Sequence, residues 1–105
     1  MVMFAMPMNT TVAVDRYVVD VLMPDLVGHD RKPSAFVVYL YLASVATRTG
    51  RERVSASLQT IAVKTGLSKS SVQSAIRHLR RRGLLVDEDV ASTNPTRVVA
   101  RPWVR

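Results

Sequence analysis

The clearest pattern of apolar and polar positions in the chain lies between Ser68 and Arg82. Apolar side chains recur there at i, i+3, i+4 and i+7, which places them along one side of an α-helix; they are Val72, Ala75, Ile76 and Leu79. Hydrogen-bonding side chains repeat with the same spacing on another side, namely Ser70, Gln73, Ser74 and Arg77. Packing against a core requires only the first set. The pattern therefore predicts a helix with one buried side and one polar side.

A shorter helix is predicted immediately before this one, with a tight turn between them. Ser57 is a suitable N-cap for it, and Gly66 suits the left-handed conformation that commonly ends a helix. Leu67 follows as an apolar contact, and Ser68 is placed to cap the polar-sided helix. Residues 57–82 are thus predicted to form a helix, a turn and a second helix.

A third helix is predicted from Ser34, taken as its N-cap, through residues 35–47. Strand propensity is high at residues 37–42. The length of the run, the cap before it and the basic end followed by Gly50 nevertheless favour a helix.

This third helix is apolar on nearly every side. Between residues 35 and 46 the one fully polar side chain is Ser44. A helix of this kind must be covered on more than one side. We interpret the pattern as evidence for a homodimer, with wrapping by the N-terminal segment as the alternative.

The N-terminal part gives weaker signals. Residues 1–14 are treated as an apolar, methionine-rich arm, and residues 15–27 are predicted to be helical. Pro24 is expected to break or kink that helix, because proline has no N–H and clashes with the preceding turn.

Short strands are predicted elsewhere. Residues 51–56 suit one strand, and residues 84–90 and 97–104 suit the two strands of a hairpin. The turn-forming run 91–96 connects them. Trp103 is expected to anchor the last strand on the core, with base stacking as the alternative.

These elements predict one domain over residues 15–105, mainly α with a small β-hairpin. It would contain three core helices plus an N-terminal extension. The absence of cysteine excludes disulfides and thiolate metal sites and fits a cytoplasmic protein. No apolar run approaches the eighteen or so residues of a membrane span.

The net charge of +7 is unevenly distributed. Residues 1–30 carry −3, residues 31–82 carry +10, and residues 83–105 are balanced. The excess positive charge coincides with the helix–turn–helix. A concentrated positive field attracts phosphate and releases its counterions, which favours nucleic acid as the partner.

The run SLQTIAVKTGLSKSSVQSAIRHLRRRGLL resembles the helix-turn-helix of bacterial winged-helix DNA-binding proteins, of the transcriptional-regulator or replication-initiator type. The matching features are a small residue four before the turn glycine, a capping serine, a Ser-Val pair, a basic end and Gly-Leu-Leu; they are Ala62, Gly66, Ser68, Ser71-Val72, Arg80–82 and Gly83-Leu84-Leu85. The resemblance implies a winged helix-turn-helix, with the recognition helix in the second part of residues 57–82 and the wing at about 84–104.

Candidate DNA contacts follow from the two sides of this motif. Side chains suited to reading base edges are Lys69, Ser70, Gln73, Ser74 and Arg77. Side chains suited to holding phosphates are Ser57, Thr60, Lys64, Arg80, Arg81 and Arg82. Three consecutive arginines cannot all face one way on a helix, so at least one of them is expected to lie off the DNA.

The wing adds a third group of candidates. Asn94, Thr96 and Arg97 are expected near its tip, where they would touch phosphate or enter the minor groove. The acidic run at residues 87–89 must then point away from DNA. Its negative charge limits how closely this strand can approach the duplex.

Other kinds of chemistry find little support. His29 stands beside Asp30, but His78 is the one other histidine and no third ligand has metal spacing. We therefore expect a loop histidine, a helix-surface histidine and no metal or cofactor. No catalytic constellation or phosphate-binding glycine loop is recognisable, so an enzyme is not expected.

The sequence thus predicts a protein that binds double-stranded DNA with sequence specificity, as a homodimeric transcriptional regulator of the cytoplasm and nucleoid. A DNA-binding component of a plasmid, phage or mobile-element replication system is the first alternative. A winged-helix protein-interaction module is the second, since fold does not fix function. The polar, basic recognition side argues against the second, because protein-docking surfaces favour apolar and aromatic anchors.

Overall fold

The computed structural model of the chain describes residues 11–87 and 95–101. Within these residues it contains a π-helical segment in two parts, three α-helices and three strands. Their bounds are Val18–Leu22 and Pro24–His29 for the π-helical segment, Pro33–Thr49 for α1, Arg53–Ser55 for β1, Leu58–Thr65 for α2, Lys69–Arg81 for α3, Leu85–Asp87 for β2 and Thr96–Val99 for β3.

The helix–turn–helix forms as the sequence predicts. The Ser57 hydroxyl accepts a hydrogen bond from the Thr60 backbone N–H at 3.1 Å and caps α2. Ser68 caps α3 in the same way through Ser71 N–H, also at 3.1 Å. Gly66 ends α2 with φ of 80°, a left-handed conformation that an L side chain rarely adopts. All three predictions are confirmed.

Helix α1 begins two residues earlier than expected. Pro33 is its first residue, and Lys32 is the N-cap without a side-chain hydrogen bond. Proline suits this position because the first N–H of a helix has no partner within it. The assignment of Ser34 as the cap was therefore wrong, whereas Gly50 ends the helix in the left-handed conformation, as predicted.

The N-terminal segment continues as a helix through Pro24, so of the two expected effects of this proline, a break or a kink, the break does not occur. The segment remains helical by widening its turns to the π pattern. The N–H of Met23 donates to Val18 O, and that of Asp30 donates to Asp25 O at 2.8 Å, both five residues back. This pairing keeps hydrogen bonds on both sides of Pro24 without requiring a donor from it.

The three strands form an antiparallel sheet in the order β1-β3-β2. Arg53 pairs with Val98 across one ladder and Leu85 pairs with Val99 across the other. The hairpin of β2 and β3 is the predicted wing, shorter in the described residues than expected. The remainder of the predicted hairpin, including Asn94 and Trp103, lies outside the described residues.

Helix α1 lies at the centre of the core. It packs against the π-helical segment, α2, α3 and the sheet. Val18, Leu22 and Leu26 of the π-helical segment are buried with it. The N-terminal wrapping considered as an alternative to a dimer is thus present, and Val37 of α1 remains exposed outside it.

Tyr39 of α1 ties the core to the sheet. It is fully buried, and its hydroxyl donates a hydrogen bond of 2.8 Å to the Ala100 carbonyl. Burial raises the pKa of Tyr39 to about 12, so the phenol stays a donor at neutral pH. The result is a mainly helical domain with a small sheet, a winged helix-turn-helix fold as predicted. None of the described helices is long and apolar enough to cross a membrane.

Candidate nucleic-acid interface

The exposed side of α3 carries a continuous polar and basic stripe. Four exposed residues occur on it at steps of four, so each lies about one turn beyond the last; they are Lys69, Gln73, Arg77 and Arg81. The opposite side holds the predicted apolar residues, all buried: Val72, Ala75, Ile76 and Leu79. We refer to the four exposed residues as the α3 stripe.

Gln73 and Arg77, in the middle of the stripe, were predicted to read bases. Both are exposed, and among the described residues neither forms a side-chain hydrogen bond or ion pair. Lys69 is exposed at the first position of α3. These side chains are therefore available to an outside partner without breaking an internal contact.

The two serines predicted beside them are placed less favourably. Ser70 is exposed, but its hydroxyl lies 3.2 Å from that of the capping Ser68. Ser74 is partly buried. The geometry thus brings Lys69, Gln73 and Arg77 to one surface and leaves the serines at its margin.

Two of the predicted phosphate ligands, Ser57 and Thr60, lie at the start of α2 and use their hydroxyl groups differently. Ser57 uses its hydroxyl internally, accepting from the Thr60 N–H and donating to the Thr60 side-chain oxygen at 3.0 Å. The Thr60 hydroxyl accepts that bond, so its own proton remains available. Thr60 and Lys64 are both exposed on α2. Thr60 is consequently the better donor to an outside anion.

Arg97 requires a correction. The expectation placed it at the tip of the wing, but it lies in β3 with 5% of its surface exposed. Its guanidinium donates to the Ala56 carbonyl at 2.8 Å, and its Nε lies 3.4 Å from Asp87 Oδ1. Burial lowers the pKa of Arg97, and the Asp87 carboxylate opposes that shift. Arg97 is therefore an internal cation that joins β3 to β2 and to the start of α2.

Asp87 also holds Arg80. The Arg80 guanidinium donates to Asp87 Oδ2 at 2.7 Å, which links the end of α3 to the wing strand β2. Asp87, the first member of the acidic run, is thus bound by two arginines of the same chain. Glu88 and Asp89 lie outside the described residues. Thr96, predicted for the wing, is partly buried, and its hydroxyl lies 2.9 Å from that of Ser55.

A second carboxylate group holds the other side of α3. Arg82 bonds to Asp25 and lies 3.2 Å from Asp30 through its Nε. The His78 Nε2 lies 2.7 Å from Asp30 Oδ2, and His29 Nδ1 lies 2.9 Å from Asp30 Oδ1. We call these five residues the Asp30 cluster. It joins the end of the π-helical segment to the C-terminal half of α3.

The cluster corrects the expectation for both histidines. His29 lies in the last π-helical turn, and the His78 side chain is 15% exposed and bonded, so it does not lie on an open helix surface. Hydrogen bonds from His29 and then His78 hold the pKa of Asp30 below its ordinary value, and the Arg82 charge adds to the effect.

Asp25, His29 and Asp30 also lie close enough together to hold a metal ion. Both carboxylates already pair with Arg82, and Asp30 pairs with His78 as well. Ion pairs within the chain therefore account for this group of side chains.

Sequence reasoning did not find these two carboxylate groups. The Asp30 cluster joins segments about fifty residues apart, and the Asp87 contacts cross between α3, β2 and β3, so local periodicity reveals neither. One signal was available in the N-terminal part. Aspartate recurs at every fifth position, at Asp15, Asp20, Asp25 and Asp30, a spacing that an α-helical period does not explain. It matches the five-residue step of π-helical hydrogen bonds.

The family of the chain is identified by a match to a protein-family model that covers more than half of its residues. The model, described as a helix-turn-helix domain, matches residues 32–85, slightly more than half of the chain. The chain belongs to this helix-turn-helix family. The match covers α1, β1, α2 and α3 with its stripe, and family membership supports DNA as the partner. Comparisons with curated proteins and with solved structures gave no match.

Proposed function

We propose that this helix-turn-helix protein binds double-stranded DNA with sequence specificity, by placing α3 in the major groove, and that it acts as a dimeric transcriptional regulator. The observation that carries the proposal is the α3 stripe. It is exposed, polar and basic, and its two central side chains are free of partners among the described residues. A major groove about 12 Å wide admits a helix with such a side.

Within the stripe, Arg77 and Gln73 are the proposed base readers. Arginine donates two hydrogen bonds to the acceptors of guanine, and glutamine pairs with the donor and acceptor of adenine. Lys69, at the first turn of α3, is near the end of the helix that enters the groove most deeply in this class of motif. The three residues would read adjoining base steps.

Phosphate contacts are assigned to the exposed donors around this stripe. Thr60 and Lys64 are exposed on α2, which packs against α3, and Arg81 is the last residue of the stripe. Such contacts fix the register of the protein on the duplex and make affinity depend steeply on salt.

The dimer rests on different features. Apolar side chains of the π-helical segment remain exposed, among them Val19 at 44%, Met23 at 38% and Val27 at 38%. Val37 of α1 is also exposed, at 37%. A second copy that covers these side chains would place two α3 helices on one duplex and predict an inverted-repeat target.

Selection of bound duplexes from a random pool tests the proposal, with the mass of the complex measured alongside. We expect an enriched palindrome and a complex of two chains. An enriched single half-site with one chain would contradict the dimer, and no enrichment at all would contradict sequence-specific binding. The location of matching sites, in promoters or at a replication origin, separates a regulator from a replication component.

The Arg77→Ala, Gln73→Ala double variant is the control for this selection. Both residues are exposed, so their removal is expected to leave the fold intact. The variant should recover no site or a less defined one. Recovery of the same site with equal enrichment would show that another surface reads the DNA.

A further inference from the structure

We propose that Asp25 and Asp30 act as an internal substitute for DNA phosphate, holding Arg82 off the duplex and thereby limiting the strength of backbone binding. This inference rests on the proposed function. It assigns an affinity-setting role in the N-terminal segment, outside the helix-turn-helix itself.

The geometry around Arg82 supports this assignment. Its guanidinium bonds to Asp25 and lies 3.2 Å from Asp30, so two carboxylates bind one cation. A guanidinium binds carboxylate and phosphate oxygens with the same fork of N–H donors. An arginine engaged in this way must break these contacts before it can bind a phosphate.

Arg81 provides the internal comparison. It is the next residue in the chain, is exposed, and lies at the end of the α3 stripe. Among the described residues no carboxylate pairs with it, in contrast to Arg82. Two adjacent arginines therefore differ in the presence of a competing acid, in addition to their different positions at the end of α3.

The two acids differ in how firmly they are held. The Asp30 side chain is 7% exposed and bonds to His29, His78 and Arg82, so it also fixes the position of α3. The Asp25 side chain is 34% exposed and contacts Arg82 near the surface. Asp25 can therefore be replaced with less disturbance of the fold.

The test is the salt dependence of binding to a random duplex, measured for the parent, Asp25→Asn and Asp25→Asn with Asp30→Asn. Freeing one arginine for phosphate should steepen the slope of log affinity against log salt by about 0.9. We expect the double variant to approach this increase and the single variant to show part of it. Affinity for the random duplex should rise several-fold at low salt.

Arg82→Gln, added to each variant, separates release of the arginine from a simple loss of negative charge. If the proposal holds, the increase in slope disappears once Arg82 is replaced. An increase of equal size without Arg82 would overturn the proposal, because it would report repulsion relieved elsewhere. No increase in either acid variant would overturn it as well.

Two further measurements keep the outcomes distinct. Arg81→Gln should lower the parent slope by about 0.9, and Arg82→Gln by clearly less; equal losses would contradict the difference between the two arginines. Urea unfolding checks that each variant folds, and Asp25→Asn alone carries the test if the double variant does not. A parent protein without salt-dependent DNA binding would instead refute the proposed function.

Discussion

Arginines in the middle of α3 and at its C-terminal end differ in their contacts. Arg77, in the middle, is exposed and has no ion pair among the described residues, whereas Arg80 and Arg82 at the end are held by carboxylates of β2 and the π-helical segment. A count of basic residues therefore overstates the number of arginines that are available to bind DNA. What decides the role of an arginine is the direction in which the helix points it, and which acid is there.

The two groups of arginines also differ in what they contribute to the protein itself. An exposed cation without a partner contributes little to stability, so its removal is felt mainly in binding. A buried or partly buried pair connects elements, and removal of one member leaves the other uncompensated. Three predictions test this division, in order of decreasing effect.

The largest effect is expected for Arg97→Met. Arg97 is buried, and its loss would leave the Asp87 carboxylate, 11% exposed, without its buried cation. Leaving a buried charge without any partner costs roughly 3–5 kcal/mol of unfolding free energy. Asp87 keeps its ion pair with Arg80, and methionine fills much of the vacated volume, so the loss should fall below that range. Urea unfolding should therefore show a loss of at least about 2 kcal/mol.

Arg101→Met is the matched control. Its ion pair with Glu52 also joins an arginine to a carboxylate, but the two side chains are 47% and 57% exposed. Pairs of this kind contribute about 0–1 kcal/mol. Equal losses for Arg97→Met and Arg101→Met would show that burial does not separate the two arginines.

The position of Arg97 also shows which features could not be predicted from the sequence. Helix boundaries near Ser57, Gly66 and Ser68 were predictable because caps and turn glycines act within a few residues. The buried side of α3 was predictable because periodicity is local as well. The partner of Arg97 was not, because β-strand alternation does not reveal that an inward position holds a cation beside Asp87.

The N-terminal segment gives the same lesson in another form. A helix at residues 15–27 was predictable from its apolar spacing, but its passage through Pro24 depends on π-helical turns that carry no familiar sequence signal. The exposed face of α3 was foreseen, with Gln73 and Arg77 on it. The Asp30 cluster was not, because its members come from segments about fifty residues apart.

The second prediction concerns the free arginine. Arg77→Ala should weaken binding to the selected duplex by roughly 1–3 kcal/mol, about 5- to 150-fold, with a much smaller loss on a random duplex. The reason is that a bidentate contact to a base edge is made only where that base is present. Titrations of both duplexes at one salt concentration measure the difference.

Lys64→Ala is the contrasting variant. As a proposed phosphate contact it should weaken both duplexes alike and reduce the salt slope by about 1. If Arg77→Ala also reduced affinity for both duplexes equally, Arg77 would be a phosphate ligand. The middle of α3 would then not read bases, contrary to the proposal.

The smallest effect is expected from the pH dependence of the Asp30 cluster. The pKa of Asp30 lies below its ordinary value of 3.8 because His29, His78 and Arg82 favour the charged form. Above 3.8 the carboxylate is ionised in both folded and unfolded chains, and its stabilising contribution is fully present. As pH falls, the unfolded chain takes up the proton first, so the free energy of unfolding decreases until the folded pKa is passed.

The unfolding free energy of the parent should therefore decrease more steeply than that of Asp30→Asn as the pH falls below about 5 and past the lowered pKa of Asp30. Asparagine keeps the shape of the side chain but cannot titrate, so the difference between the two curves reports the titration of Asp30 together with its coupling to the cluster. Parallel curves would mean that the contacts of the Asp30 cluster stabilise the ionised carboxylate no more than solvent does in the unfolded chain. Apolar packing would then hold the C-terminal end of α3 in place. The middle and the end of this helix would differ in the exposure of their arginines and not in their ion pairs.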